Sequence, residues 1–147
     1  MENAEFTQCY AFTLTINPKL HKSTIIHQLN CTARSLQSLM HHAKISTVVE
    51  LTTNYNVHYH GIIQFHYMDI KNKTPESYWH NKLRNHPTLG YSMLKVMTDE
   101  EGWKNYILKD VPRTMAELKH SYYNPIINDE HGLSECYLHM ETPSKAE

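Results

Sequence analysis

Tyr10, Phe12, Leu14 and Ile16 alternate with Thr13, Thr15 and Asn17 along Cys9–Asn17. Successive side chains of a strand point to opposite faces, so this stretch is predicted as a half-buried strand, ended by Pro18. Ile26, Leu29, Ala33, Leu36 and Met40 then recur at steps of three and four, predicting an amphipathic helix over 23–42 with Ser23 or Thr24 as its cap. Two β-branched runs follow, Ser46–Leu51 and Val57–Phe65, separated by the turn-prone Thr53–Asn56, which reads as a hairpin. Thr74 before Pro75 opens a helix to about Asn85. Leu89–Thr98 is a further strand. Asp99 caps a last helix to about Lys109, with Glu100 and Glu101 in its first turn where the macrodipole favours them. Pro112 blocks much continuation.

The order β, α, β-hairpin, α, β, α predicts an α+β domain: a central antiparallel sheet of about five strands with flanking helices. Residues 1–113 form this domain. Residues 114–147 are an acidic C-terminal extension with weak structural signals, packed on the domain or linking it to another.

Composition adds limits. At 147 residues the chain is expected to be one domain with its own core. Its 40% hydrophobic content excludes a disordered chain. Three cysteines, odd in number and far apart, fit free thiols in a reducing compartment. No long apolar run and no basic-then-apolar leader is present, so neither a membrane span nor a secretory signal is expected. The net charge of −1 hides an uneven layout. Residues 71–113 carry eight basic and five acidic groups, whereas 114–147 carry two and six. The basic middle is a surface that can hold phosphates. Histidine is the unusual count: twelve, against fourteen Lys and Arg together.

Two of those histidines share a strand face. His58 and His60 are two apart, and Val57, Tyr59, Ile63 and Phe65 fall on the opposite face. Glu50 lies on the preceding strand of the hairpin. Depending on register it stands opposite His58 or His60. Two imidazoles and a carboxylate with open positions beside them suit a divalent ion such as Mg²⁺ or Mn²⁺. On the last helix, Tyr106 and Lys109 are neighbours at i, i+3. A tyrosine hydroxyl becomes a useful nucleophile where a metal has polarised an electrophilic phosphorus, and a nearby ammonium neutralises the developing charge.

The ordered set resembles the HUH endonuclease superfamily, in particular the replication initiators (Rep) of circular single-stranded DNA viruses. Phe12-Thr13-Leu14-Thr15 is similar to their first motif, His58-Tyr59-His60 to the second, and Tyr106-Ile107-Leu108-Lys109 to the third in its single-tyrosine form. Glu50 matches the third metal ligand by its place on the strand before the histidines. The resemblance covers about residues 9–110. Two features depart from the family: Tyr59 stands where it prefers a bulky hydrophobic residue, and no GxxxxGK[ST] loop of a helicase occurs. The chain is therefore expected to be the nuclease domain of a longer protein that carries the helicase, or a naturally short member.

The resemblance implies a single-stranded DNA nicking and joining enzyme with an HUH or RRM-like layout. Glu50, His58 and His60 would hold Mn²⁺ or Mg²⁺. Tyr106 would attack the scissile phosphate of an origin stem-loop, leaving a 5′-phosphotyrosine link, and Lys109 would position or neutralise the phosphate. DNA contacts would come from Thr13, Thr15 and Asn17 on the first strand and from Tyr91, Ser92 and Lys95 on the last, with Lys71, Lys73, Lys82 and Arg84 on backbone phosphates. A viral protein of this kind would act in the host nucleus, and otherwise in the cytoplasm. Two alternatives stay open: a plasmid initiator or transposase of the same superfamily, and a non-catalytic nucleic-acid-binding module. RNA-recognition domains share the layout but put aromatics on the exposed sheet face.

Overall fold

The computed structural model describes residues 5–39, 42–52 and 56–109. The extension over 114–147, together with Cys136, lies outside them. Four strands form one antiparallel sheet: β1 (Tyr10–Ile16), β2 (Lys44–Leu51), β3 (Val57–Gln64) and β4 (Leu89–Val96), in the order β2-β3-β1-β4. An isolated antiparallel bridge between Phe6 and His66 extends the β1–β3 pairing beyond the strand ends. The helices are α1 (Ile25–Leu39), α2 (Tyr67–Ile70), α3 (Pro75–Leu83) and α4 (Glu100–Leu108). The fold is α+β with an antiparallel sheet and flanking helices, as the hydrophobic pattern predicts. Its βαββαβ order is the ferredoxin-like arrangement, here with α4 appended.

Alternation decides which residues enter the core. Tyr10, Phe12, Leu14 and Ile16 of β1, Ile45, Val49 and Leu51 of β2, and Val57, Tyr59 and Ile63 of β3 all lie on one buried face. Leu29 and Leu36 of α1 and Tyr78, Trp79 and Leu83 of α3 join the same cluster. Trp79, fully buried, meets the Phe12 and Phe65 rings at 5.4 and 6.0 Å. The other face carries His58, His60 and Ile62 of β3, and α4 lies over it: the Trp103 Nε1 donates to the Gly61 carbonyl at 2.9 Å.

Local signals set the boundaries. Thr24 Oγ1 accepts from His27 N and caps α1. Thr74 caps α3 through Ser77 N, and Asp99 caps α4 through Gly102 N. Gln28, buried on α1, donates to Leu20 O and Ser23 O and accepts from Val57 N, which ties the helix start to β3. The helix predicted to about Asn85 ends at Leu83. Asn85 takes a left-handed φ of 57°, and Pro87 disfavours a helical His86. A single-turn α2 and a 3-10 turn over Pro18–Leu20 are too short to leave a periodic signal. No helix among the described residues is long and apolar enough to cross a membrane.

Two predictions follow from the packing. A Cβ on Gly61 would overlap the Ser46 carbonyl oxygen and press on the Phe12 ring at 2.7 Å. Gly61→Ala is expected to cost about 1–3 kcal/mol in urea unfolding, because backbone cannot yield as a flexible side chain can. The second concerns pH. His86 Nδ1 accepts from Thr88 N and Leu89 N at 3.1 and 3.2 Å, and burial lowers its pKa below 6.5. Folding thus favours the neutral ring, so the unfolded chain binds more protons in this window. Stability from this group is complete above about pH 6.5 and falls as pH drops through the lowered value. Comparing unfolding at about pH 7.5 and about pH 5, His86→Ala should lose less stability on acidification than the parent protein. An equal loss would exclude His86 as a contributor.

Candidate functional site

β3 pairs β2 with Glu50 opposite His58 and Val48 opposite His60, which settles the register left open by the hairpin loop. The carboxylate nevertheless reaches diagonally. Glu50 Oε1 lies 2.7 Å from His60 Nε2, within the reach of diagonal cross-strand neighbours. On the other side of β3, Thr13 pairs with His60, and Thr13 Oγ1 is 2.9 Å from His60 Nδ1. Both ring nitrogens are therefore engaged. With a neutral imidazole and an ionised Glu50, Nε2 donates to the carboxylate and Nδ1 accepts from the Thr13 hydroxyl.

His60 is only 9% exposed, and α4 supplies its cover. The Trp103 and Tyr106 rings lie 6.3 and 6.4 Å from the imidazole, both edge-on. They also stack on each other at 5.5 Å with an interplanar angle of 21°. Tyr106 is 51% exposed, so its hydroxyl-bearing ring is open to solvent while standing beside His60. Lys109 Nζ lies 4.1 Å from the Tyr106 ring centroid, as i, i+3 spacing allows. His58 is half-buried. Desolvation lowers its pKa most, opposed by Glu50 and reinforced by the neighbouring His60 and His21. A neutral imidazole is the form that can ligate a metal.

The donor set fits a divalent ion by type: two imidazole nitrogens and a carboxylate on one sheet face. Its arrangement is not a ready-made cage. Among the described residues no three His, Cys, Asp or Glu side chains converge as metal ligands. Glu50 and His60 instead bond each other, and for His60 Nε2 to serve as a ligand that hydrogen bond would have to break and the ring proton move to Nδ1, where Thr13 Oγ1 can accept it.

The remaining sequence candidates divide between the two sides of the sheet. Thr13 holds His60, and Thr15 lies on the same face of β1. Lys95, paired with Ala11, lines a cavity of about 300 Å³ together with Tyr106. Asn17 is a turn residue: its Oδ1 accepts from Lys19 N and its Nδ2 donates to His86 O. Lys71, Lys73 and Lys82 surround a separate cavity with Asp69 and Tyr78, beside α2 and α3. These helices pack on the opposite face of the sheet, and Arg84 sits at the C-terminal end of α3. Tyr91 and Ser92 belong to β4, but their side chains lie outside the described residues. Trp103 is the residue at this site that the sequence pattern does not single out. Its spacing of three from Tyr106 was the available signal.

Comparison with family models, with known proteins and with solved structures yields no match to this chain.

The bonds around His60 are expected to be structural as well as chemical. Glu50→Ala leaves a buried ring nitrogen unpaired and should cost about 1–3 kcal/mol, whereas Thr13→Val should cost about 0.5–1.5 kcal/mol. Urea denaturation of the two variants checks this, and two negligible costs would mean that neither bond holds the ring.

Proposed function

We propose that the protein is a metal-dependent single-stranded DNA endonuclease and strand transferase of the HUH type, which nicks an origin stem-loop and rejoins it. The observation that carries this reading is the position of Tyr106: an exposed phenol on α4, 6.4 Å ring to ring from a histidine bonded to a carboxylate, with a lysine ammonium over its own ring. Nucleophile and cation belong to α4 and the candidate ligands to the β2–β3 hairpin, some fifty residues earlier, and α4 lies over the face that carries His60.

Glu50, His58 and His60 would hold Mn²⁺ or Mg²⁺. When bound, the ion supplies Lewis-acid polarisation of the scissile phosphate. The chain's own residues do the rest. The Tyr106 oxygen attacks phosphorus, an O–P bond forms, and the bond to the 3′ oxygen breaks. In net, the phenolic proton ends on the released 3′-hydroxyl and the 5′-phosphate stays on tyrosine. Lys109 balances charge on the phosphate as it transfers. Trp103 fixes α4 on the sheet through Gly61, which holds the Tyr106 ring in place. Thr13 keeps the His60 ring in one orientation, as a hydrogen bond to the second nitrogen of a ligating imidazole does. Because the step exchanges one phosphodiester for another, its reversal rejoins the strand. A helicase domain in a longer parent protein is part of the same proposal.

The fold alone also suits a non-catalytic binding module. That module would use aromatics on the central strands for base stacking. Here the central strands present Ala11, Thr13, Thr15, His58, His60 and Ile62 to that face, and the aromatics come from α4. This residue set favours the catalytic reading.

Incubation with a panel of single-stranded origin hairpins and Mn²⁺ should give a covalent protein–DNA adduct on denaturing gels. Tyr106→Phe, the His58→Ala/His60→Ala double variant, and excess EDTA should each abolish it. Lys109→Ala should slow adduct formation by about a hundredfold while DNA binding persists. An undiminished adduct with Tyr106→Phe removes the nucleophile assignment, and full cleavage in EDTA removes the metal.

A further inference from the structure

The cavity beside Tyr106 has no part in the transesterification described above. It lies between β4 and α4 and measures about 300 Å³. Met93 and Met97 line it on the β4 side, Trp103 and Tyr106 on the α4 side, and Lys95 and Asp99 contribute its charged groups. Asp99 is already committed to capping α4 through Gly102 N. At that size the cavity is at the small end of ligand sites, suited to one flat ring system rather than an extended ligand.

We propose that this cavity receives the base of one nucleotide flanking the scissile phosphate. The inference rests on the nuclease reading for the position of that phosphate, and deepens it by naming what selects the strand. Four observations carry it. First, the cavity shares Tyr106 with the reacting centre, so a nucleotide whose phosphate lies at Tyr106 has its base within one residue of the opening. Second, the indole is pre-organised: its Nε1–H is held by the Gly61 carbonyl, and it stacks on Tyr106. The ring thus loses little freedom when a base packs against it. Third, Met93 and Met97 add two thioethers to the lining, which are polarizable and adapt to a flat aromatic surface. Fourth, the charge pattern suits a nucleotide rather than a neutral ring. Lys109 lies on the Tyr106 ring, next to a phosphate held at Tyr106, and Lys95 lines the cavity together with Asp99, whose carboxylate already accepts from Gly102 N. Trp103 and Lys95 are specificity and positioning residues in this account, and Tyr106 keeps its role as nucleophile.

The experiment uses the full chain and its intrinsic fluorescence. The protein has two tryptophans. Trp79 is fully buried in the core and Trp103 faces the cavity, so quenching by a ligand reports on Trp103. The probes are a dT12 oligonucleotide and a twelve-residue strand of the same length without bases. Both are titrated into the Tyr106→Phe protein, which holds DNA without reacting. The expected result is that dT12 quenches Trp103 and the base-free strand does not, with the base-free strand binding at least about tenfold more weakly. A Trp103→Ala protein, followed by anisotropy of labelled dT12, should lose affinity by a similar factor. Equal binding of the two strands, or dT12 binding that leaves Trp103 fluorescence unchanged, overturns the base pocket. These outcomes separate from the nuclease reading. Base-dependent quenching without a covalent adduct in the parent protein overturns the nuclease and keeps the pocket. An adduct that forms without base-dependent quenching overturns the pocket alone.

Discussion

The structure depends on what is missing at Gly61. On the core side, the absent side chain lets the Phe12 ring and the Ser46 carbonyl close in on β3, and Phe12 in turn packs on Trp79 of α3. On the other side, the Gly61 carbonyl accepts the Trp103 indole and so fixes α4 over the sheet. One residue therefore joins the two layers. A larger residue would push β1 and β2 away from β3, and the displacement would reach His60 from both directions. Interiors pack too densely to absorb it locally. The glycine sits immediately after the His-x-His pair, so the constraint on packing and the constraint on the site act on adjacent residues.

The abundance of histidine takes on a physical meaning once its partners are known. Several described histidines do backbone work. His66 Nδ1 accepts from Met68 N and caps α2, and His86 Nδ1 accepts from Thr88 N and Leu89 N before β4. His42 joins Asp69 at 2.8 Å and ties the start of β2 to α2. An imidazole with one unprotonated nitrogen substitutes for the Ser, Thr or Asp oxygens that more often accept at turns and caps. His60 differs from these. Its two nitrogens meet side chains from two other strands, Thr13 and Glu50, under an aromatic cover. That long-range, buried pairing separates a candidate reactive group from a local turn residue.

Sequence reasoning succeeded where a signal repeats within a few residues and failed where contacts span the chain. The alternation from Tyr10 to Ile16, the caps at Thr24, Thr74 and Asp99, and the shared face of His58 and His60 are all local, because side-chain direction follows backbone period. The pairing of Glu50 with His58 was narrowed to two registers but not chosen, since the hairpin loop length depends on where the ladder stops. Asn17 looked available on a polar strand face, yet its amide closes the turn to His86, 69 residues away. Lys71, Lys73 and Lys82 looked like part of one basic surface with Lys95, but the crossover through α3 puts them across the sheet from it.

Local patterning along the chain is enough for the α+β class, the faces of β1 and β3, the starts of α3 and α4 and, to one residue, of α1, and the presence of a His-x-His strand and a Tyr-x-x-Lys helix. Each of these follows from periodicity or from a cap, which a short window contains in full. Long-range packing is what puts α4 on the histidine face, Trp103 beside His60, and Thr13 and Glu50 on opposite sides of one imidazole. Those facts depend on which surfaces bury each other. Burial is settled by the whole set of packed layers, with Gly61 giving two of them the room to meet.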